Sequence, residues 1–350
     1  MKKYGYLYEQ IYDITNIELA HKNARKGKTH YSEVRMIDNN PQKYFNNINN
    51  MLKNKTYKNS KYKIMIKKTD NGKIREIFKL PYFPDRIIHH SIIQVLEPIW
   101  FKSLIRDTYS SIKGRGVHDG VKRIKKSLFD KENTQYCLKL DVRKFYHSIN
   151  NNILKHIIRR KIKDNDLLWL LDEIIDSTKG VPIGNYLSQY FGNLYLSQLD
   201  HIIKSKTKYY FRYCDDMVIF HSDKRFLHHL RTEIEIYLNQ QLKLQLKSNW
   251  QVIHVDKEGV DFLGYRFFHD YTILRKSIKK RFVNTMKRIN KRYDTLPFTQ
   301  VINSMMSYYG WFKYSNCKNL QNKYFNKEIS WIVKHLCIEN SISNPLKKLN

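Results

Sequence analysis

The spacing of hydrophobic residues predicts a chain in which helices and strands are mixed. Residues 1–60 have helical spacing and a polar, basic character, and KYKIMIKKTDNGKIREIFKL (residues 61–80) contains two β-prone runs joined through Asp70-Asn71-Gly72. Asn-Gly is a strong hairpin signal because both central positions of a type I′ turn require a positive φ. The segment DRIIHHSIIQVLEPIWF then predicts an apolar helix that stops near Pro98.

The middle of the chain alternates between the two kinds of element. YCLKLDVRKFYHSI (residues 136–149) is typical of a strand, NYLSQYFGNLYLSQLDHII (residues 185–203) of a long helix, and DFLGYRFF (residues 261–268) of a strand or hairpin. From about residue 275 a strongly basic helix and a second, aromatic one follow. This mixture predicts an α+β or split βαβ arrangement.

The charge of the chain indicates a polyanionic partner. Lys and Arg number 64 against 32 Asp and Glu, which gives a formal net charge of +32. Such self-repulsion is hard to explain without nucleic acid or another polyanion. The 26 tyrosines interleave with the charge in runs such as KTKYYFRY, as expected where bases or sugars stack. Solvated lysine faces explain part of the same pattern.

The cysteines and the N-terminus indicate a cytoplasmic protein. No CxxC motif or Cys-His ligand spacing is present, so the four cysteines are expected to be buried thiols in a reducing compartment; they are Cys137, Cys214, Cys317 and Cys337. The N-terminal MKKYGYLYEQ has no apolar run behind its lysines, which argues against a signal peptide. No stretch approaches the roughly 18 apolar residues of a membrane span, so no membrane partner is expected.

Three carboxylates stand at the ends of apolar, β-prone runs. Asp141 follows one such run in KLDVRKF, and Asp215 and Asp216 lie inside YCDDMVIF. Adjacent strands would bring all three to one edge, where they would repel one another unless cations lie between them. Two divalent ions about 3.5 to 4 Å apart, bridged by carboxylates, are the arrangement used for phosphoryl transfer. Mg²⁺ suits such oxygen ligands.

Adjacent aspartates are also common in surface turns. The flanking sequences FRYC and MVIF favour a hairpin over a surface turn. Their residues alternate as in a half-buried hairpin and not as in a solvated loop. We therefore expect Asp215 and Asp216 at the tip of a rigid hairpin.

Motifs in a fixed order resemble the reverse transcriptase family. Tyr213-Cys214-Asp215-Asp216 resembles its YxDD box, and LKLDVRKFYHSI resembles the metal-binding strand that precedes this box. IKKTDNGKIREI, GVPIGNYLSQ and VDFLGYRF resemble its fingertip hairpin, template-and-nucleotide loop (residues 180–190) and primer grip. The resemblance implies an α+β right-hand polymerase. Its parts would be an N-terminal extension with fingers (1–115), a palm of antiparallel sheet and helices (116–270) and a helical, basic thumb (271–350).

The resemblance also implies roles for individual residues. Asp141, Asp215 and Asp216 would hold two Mg²⁺ ions, with the Val142 carbonyl as a further ligand. Tyr146 would be the aromatic gate, whose flat ring under the deoxyribose leaves no room for a 2′-hydroxyl. The other implied contacts are to the nucleotide by Lys68, Lys73, Arg75, Ile183, Gly184 and Gln189, and to the primer by Phe262, Leu263, Gly264 and Tyr265.

One loop is similar to a particular branch of the family. Most reverse transcriptases carry Gln before the loop glycine and Ser-Pro after it, whereas here Ile183 precedes Gly184 and Ser188-Gln189 follows. This form is similar to the enzymes of diversity-generating retroelements. It implies error-prone copying of an RNA template at adenines, from a DNA or RNA primer with deoxynucleoside triphosphates, alongside a small basic accessory variability protein.

Several alternatives stay open. Other bacterial reverse transcriptases, associated with introns, retrons or defence, share parts of this pattern. An RNA-dependent RNA polymerase shares the paired aspartates but tends to carry an Asp where Tyr146 stands, and a non-catalytic RNA-binding protein could retain the fold. Where the family often has a Lys after the long helix, this chain reads LQLKSNWQV. Either Lys247 substitutes for that residue or no side-chain acid acts there.

Overall fold

The computed structural model describes residues 3–68, 72, 74–292 and 296–324. The chain forms two compact units, each assembled from three stretches of sequence. Unit 1 contains Met1–Ser111, Leu140–Met217 and His229–Trp250, and unit 2 contains Ile112–Lys139, Val218–His228 and Gln251–Asn350.

Helices make up most of the described chain, and strands form three sheets. The helices are α1 (Tyr8–Tyr12), α2 (Ile14–Ala24), α3 (Ser32–Asn39), α4 (Pro41–Lys53), α5 (Ile87–Phe101), α6 (Val117–Ser127), α7 (Phe145–Ser148), α8 (Asn151–Arg159), α9 (Asn165–Ile175), α10 (Ser188–Lys206), α11 (Lys224–Gln241), α12 (Val255–Glu258), α13 (Lys276–Lys291), α14 (Phe298–Phe312) and α15 (Lys318–Tyr324). The strands are β1 (Lys63–Lys68), β2 (Ile74–Lys79), β3 (Thr108–Tyr109), β4 (Tyr136–Asp141), β5 (Tyr209–Tyr213), β6 (Asp216–His221), β7 (Gln251–His254), β8 (Val260–Phe262), β9 (Tyr265–Phe267) and β10 (Thr272–Leu274).

Helices α1 and α2 of unit 1 pack against α5. The Asp13 side chain accepts hydrogen bonds from the backbone of Thr15 and Asn16, which caps the start of α2. α5 is buried along most of its length, so it forms core and not surface. It continues to Phe101 instead of stopping near Pro98, because that proline removes only one helical hydrogen bond while the following Trp100 is 1% exposed.

The predicted hairpin within residues 61–80 is confirmed. β1 and β2 pair antiparallel from Lys63 opposite Lys79 to Lys68 opposite Ile74. Gly72 has a φ of 75°, as a tight hairpin turn requires. The rest of the turn, including Lys73, lies outside the described residues.

One five-stranded sheet has the strand order β3-β5-β6-β4-β7. β3 pairs parallel with β5, and β4 pairs antiparallel with β7. The prediction of a strand over residues 136–149 is wrong beyond Asp141. Lys144 has a left-handed backbone, with a φ of 45°, and helix α7 begins at the next residue. The chain therefore turns sharply after its carboxylate.

Unit 2 contains a three-stranded antiparallel sheet and the C-terminal helices. Its strand order is β10-β9-β8, so the predicted hairpin within residues 261–268 is confirmed. The basic helix α13 buries its apolar face through Phe282, whose ring packs edge-on against Tyr308 and Phe312 of α14. Among the described residues, no helix is both long and apolar enough to cross a membrane.

The cysteines differ in their exposure. Cys137 is buried in β4, as expected, whereas Cys214 and Cys317 are only half-buried because each lies at a turn next to the end of an element. Cys337 lies outside the described residues.

Candidate active site

Asp215 lies at the tip of a tight hairpin in unit 1. β5 ends at Tyr213 and β6 begins at Asp216, so Cys214 and Asp215 form a two-residue turn. Cys214 has a φ of 55°, a left-handed conformation that hairpin turns require and that residues other than glycine adopt at a cost. The turn is therefore held by its surroundings and not by local preference.

A buried ion pair provides that support. Arg212 donates to both carboxylate oxygens of Asp200 over 2.7 and 2.6 Å, and neither side chain is exposed to solvent. The same guanidinium donates to the Cys214 carbonyl over 2.8 Å, and the Tyr210 hydroxyl donates to Asp200 over 2.7 Å. Planar, bidentate pairing of this kind fixes orientation as well as charge. It anchors the turn to helix α10.

Asp141 is positioned by a second piece of backbone. Val142 is bridged antiparallel to Leu246, with the Lys247 amide donating to the Asp141 carbonyl over 2.8 Å. Asp141 and Lys247 are therefore opposite one another, and their side chains form an ion pair. The structure thus gives Lys247 a specific partner, the carboxylate of the predicted metal ligand Asp141.

Asp141 and Asp215 are close enough to affect each other's charge. Burial, and then the neighbouring Asp141 carboxylate, raise the pKa of Asp215 to about 6. Lys247 acts in the opposite direction, but its effect is smaller. Asp141 Oδ1 is buried without a hydrogen-bond partner. A cation between these two side chains would satisfy that oxygen and lower the pKa of Asp215.

The side chains do not form a ready-made metal centre. Among the described residues, no group of three or more His, Cys, Asp or Glu is gathered closely enough to hold a metal ion. The backbone places Asp141 and Asp215 as neighbours, while Lys247 takes one oxygen of the first. The donor chemistry nevertheless fits Mg²⁺, which prefers carboxylate oxygens and water.

A partly buried polar cluster surrounds the hydroxyl of Tyr146. This hydroxyl donates to Gln189 Oε1 over 2.7 Å and lies 3.6 Å from Cys214 Sγ. Ser110 Oγ lies 3.3 Å from the same Gln189 oxygen and 2.9 Å from the thiol. Burial raises the pKa of Tyr146 and of Cys214, so both groups keep their protons. The predicted sugar gate and the predicted nucleotide loop are thus joined to the YCDD turn.

The loop over residues 180–190 is packed against the fingertip hairpin. The Phe78 amide of β2 donates to the Ile183 carbonyl over 2.8 Å. Gly184 has a φ of 114°, and a Cβ at this position would lie 2.7 Å from the Phe78 carbonyl oxygen, so the close approach requires glycine. Ser188 donates to the Pro182 carbonyl and closes the loop.

The remaining predicted residues lie on two other hairpins. Lys68 and Arg75 are exposed on the fingertip hairpin, and within the described ranges neither forms an ion pair with a carboxylate of the site. In unit 2 the predicted primer grip is a hairpin whose Phe262 and Tyr265 side chains are fully buried. Gly264 at its turn lies against Trp311 of α14.

Three supporting residues were not identified from the sequence. Arg212 and Asp200 looked like ordinary members of a basic strand and a polar helix face, and Ser110 like a loop residue. The only available signal was an Arg at an alternating, apolar strand position, where an unpaired charge is costly and so requires a buried partner.

Comparison with known proteins gives a consistent family match. The family described as reverse transcriptase (RNA-dependent DNA polymerase) matches residues 66–267, more than half of the chain. Protein YkfC of Escherichia coli strain K12 is 24% identical over 243 residues, which cover 56% of this chain and 64% of YkfC. A putative COX1/OXI3 intron 2 protein of Saccharomyces cerevisiae is 21% identical over 256 residues, covering 52% of this chain and 29% of that protein. The chain thus spans less than two thirds of both relatives.

Solved structures show a weaker likeness. Apo telomerase from Candida tropicalis has a TM-score of 0.48 and 15% identity, with 61% of this chain and 48% of that chain covered. Telomerase from Candida albicans, in complex with a TWJ fragment of telomeric RNA, has a TM-score of 0.47 and 12% identity, with 83% and 64% covered.

Proposed function

This chain belongs to the reverse transcriptase (RNA-dependent DNA polymerase) family, and we propose from this that it extends a DNA or RNA primer along an RNA template. Family membership confirms the predicted α+β, right-hand polymerase fold class. The observation that carries the proposal is the approach of Asp215, on an anchored hairpin turn, to Asp141 at the end of β4.

The proposed reaction is nucleotidyl transfer. The primer 3′-hydroxyl releases its proton to solvent water and forms a bond to the α-phosphorus of a deoxynucleoside triphosphate. The bond between that phosphorus and the bridging oxygen breaks, and pyrophosphate leaves. Asp141, Asp215 and Asp216, with the Val142 carbonyl, are the groups that would hold two Mg²⁺ ions. When bound, these ions lower the pKa of the attacking hydroxyl and stabilise charge on the phosphate oxygens.

The chain's own residues set the geometry of that site. The Arg212 guanidinium fixes the turn that presents Asp215, and the Lys247 ammonium pairs with Asp141, one of the carboxylates that would hold a divalent ion. Tyr146 would pack beneath the sugar and exclude a 2′-hydroxyl, with Gln189 holding its hydroxyl in place. Rigid positioning of this kind is the main contribution a protein makes to phosphoryl transfer.

Other residues would hold the substrates. Lys68, Lys73 and Arg75 of the fingertip hairpin would bind the triphosphate, with Arg75 using its bidentate fork. The hairpin that contains Leu263 and Gly264 would support the primer through its backbone, since its large side chains are buried. The basic helix α13 would follow the phosphates of the duplex, a contact that weakens steeply with salt.

We further propose that the enzyme belongs to a diversity-generating retroelement and copies adenines inaccurately. The support is the loop in which Ile183 precedes Gly184 and Gln189 takes the position that is proline in most of the family. The contact of Gln189 with Tyr146 links this unusual residue directly to the sugar gate. A small basic accessory protein would act alongside, as the resemblance implies.

Sequencing of cDNA made on a defined RNA template tests both levels of this proposal. Errors concentrated at template adenines support the retroelement subtype, and evenly distributed errors favour another bacterial reverse transcriptase. A product made only of ribonucleotides identifies an RNA polymerase. RNA binding without any product identifies a non-catalytic RNA-binding protein.

A further inference from the structure

A basic cavity lies beside the carboxylates in unit 1. Its volume is about 550 Å³, within the range of roughly 300 to 1,000 Å³ that is usual for small-molecule sites. The side chains that give it its charge and polarity are Arg143, Lys144, His147, Lys179, Lys243 and Gln245. No acidic residue is among its lining residues in the described part of the chain. A concave site lined by a single sign of charge concentrates ligands of the opposite sign.

The cavity is close to Asp141 along the backbone. Val142, which is bridged antiparallel to Leu246, lies between Asp141 and Arg143, and the Lys247 amide donates to the Asp141 carbonyl over 2.8 Å. On the other side of this bridge the Arg143 amide donates to the Gln245 carbonyl over 2.8 Å. Arg143 and Gln245 line the cavity, which therefore begins two residues from each member of the Asp141–Lys247 ion pair.

The cavity wall is fixed before any ligand binds. Gly180 has a φ of 74°, and a Cβ there would lie 2.6 Å from the His147 carbonyl oxygen, so only glycine permits this packing. Asn151 accepts from the Gly180 amide over 3.1 Å and donates to the Thr178 carbonyl over 2.8 Å. This clamp holds Lys179 at the rim.

The opposite rim has an equally constrained backbone. Lys144 and Lys243 have φ values of 45° and 54°, left-handed conformations that residues other than glycine adopt at a cost. Such strain concentrates at functional positions, because surrounding structure must hold it in place. Here it presents two lysines to one cavity, and hydrogen bonds from Tyr195 to the Leu242 carbonyl and from the Leu244 amide to the Leu238 carbonyl hold the second of them.

We propose that this cavity binds inorganic pyrophosphate, the leaving group of nucleotidyl transfer. The inference rests on the proposed function, which supplies that anion at the neighbouring carboxylates. Arg and Lys form strong, charge-assisted hydrogen bonds with phosphate oxygens, and pyrophosphate is the phosphate anion that the proposed reaction would release beside this cavity. Pyrophosphate held here would leave the catalytic carboxylates free for the next nucleotide.

Titration calorimetry with inorganic pyrophosphate tests the site without requiring catalysis. The protein is the full chain carrying Asp215→Asn, in buffer without divalent ions, so a failure of polymerisation cannot hide or imitate the result. We expect the double variant Lys179→Gln and Lys243→Gln to raise the Kd for pyrophosphate about tenfold or more. Lys179→Arg with Lys243→Arg should retain binding, and Lys22→Gln on the exposed face of α2 should leave the Kd unchanged.

Two results overturn the proposal. One is an unchanged Kd in the Gln double variant when its melting temperature equals that of the parent. The other is weakened binding of single-stranded RNA with no change for pyrophosphate, which would identify the cavity as part of the template path. In the active enzyme, the same double variant should require about tenfold more pyrophosphate for half inhibition.

Discussion

Asp200 and Arg212 form a bidentate ion pair with no solvent exposure, and the same guanidinium holds the Cys214 carbonyl at 2.8 Å. This ion pair fixes the backbone of the YCDD turn. A left-handed residue other than glycine persists only where its surroundings enforce it, and here that enforcement comes from one arginine.

Asp200→Asn should therefore destabilise the protein and impair catalysis together. Removing one partner of a buried pair leaves an uncompensated charge, which lowers the free energy of unfolding by about 3 to 5 kcal/mol. Denaturant unfolding measures this loss. Glu233→Gln is the matched control, because its ion pair with Lys206 is about 40% exposed and should contribute no more than about 1 kcal/mol. Equal effects of the two substitutions would contradict the proposed anchor.

Mg²⁺ should stabilise the protein in a pH-dependent way. The pKa of Asp215 is raised to about 6, so between about pH 4 and pH 6 the folded protein binds more protons than the unfolded chain. Stability of the metal-free protein therefore falls as pH rises through this window. Mg²⁺ competes with the proton, so its effect on the melting temperature should be large near pH 7.5 and small near pH 5. In Asp215→Asn the Mg²⁺-induced shift of the melting temperature should be the same at both pH values. An equal shift at both pH values in the parent protein would contradict this prediction.

Lys247→Met should increase the affinity for Mg²⁺. The Lys247 ammonium pairs with Asp141 and competes with a divalent ion for that carboxylate. Both side chains are about one third exposed, so the competing pair contributes no more than about 1 kcal/mol. We expect a several-fold lower Kd for Mg²⁺ by calorimetry, with Lys243→Met as the control outside the pair. Weaker Mg²⁺ binding would show that Lys247 supports the metal site instead.

Gln189→Leu should loosen the sugar gate. The Tyr146 hydroxyl would lose its 2.7 Å partner, and the ring would be less firmly positioned beneath the sugar. We expect the preference for deoxynucleotides over ribonucleotides to fall to the level seen with Tyr146→Phe, which loses the same hydrogen bond. Tyr146→Ala removes the ring itself and should reduce the preference further. The measurement is the ratio of kcat/KM for the two nucleotides, and a Gln189→Leu ratio equal to that of the parent would refute the positioning role.

The sequence made the hairpin and the end of β4 predictable because apolar flanks surround each carboxylate. Asp141 ends a largely buried strand, and Asp215 lies between two buried runs. The same reasoning could not find the Asp200–Arg212 pair, since its members are twelve residues apart in different elements and the arginine resembles the basic background.

The conformational preferences of single residues also do not predict the turns at Cys214, Lys144 and Lys243. Nothing about Cys214, Lys144 or Lys243 favours a left-handed backbone, so the end of the strand at Asp141 and the rim of the cavity had no local signal. The pairing of residues 141–143 with 245–247 joins segments more than a hundred residues apart, and tertiary structure alone determines it. Residues that depend on such long-range contacts are the ones that sequence patterns missed.

Single-turnover primer extension on an RNA template tests the central claim most directly. The parent protein should incorporate deoxynucleotides and reject ribonucleotides, and Asp215→Asn should lose nearly all synthesis while still binding RNA. Full synthesis by Asp215→Asn, or a strict preference of the parent for ribonucleotides, would contradict the claim that this hairpin is the catalytic centre of a reverse transcriptase.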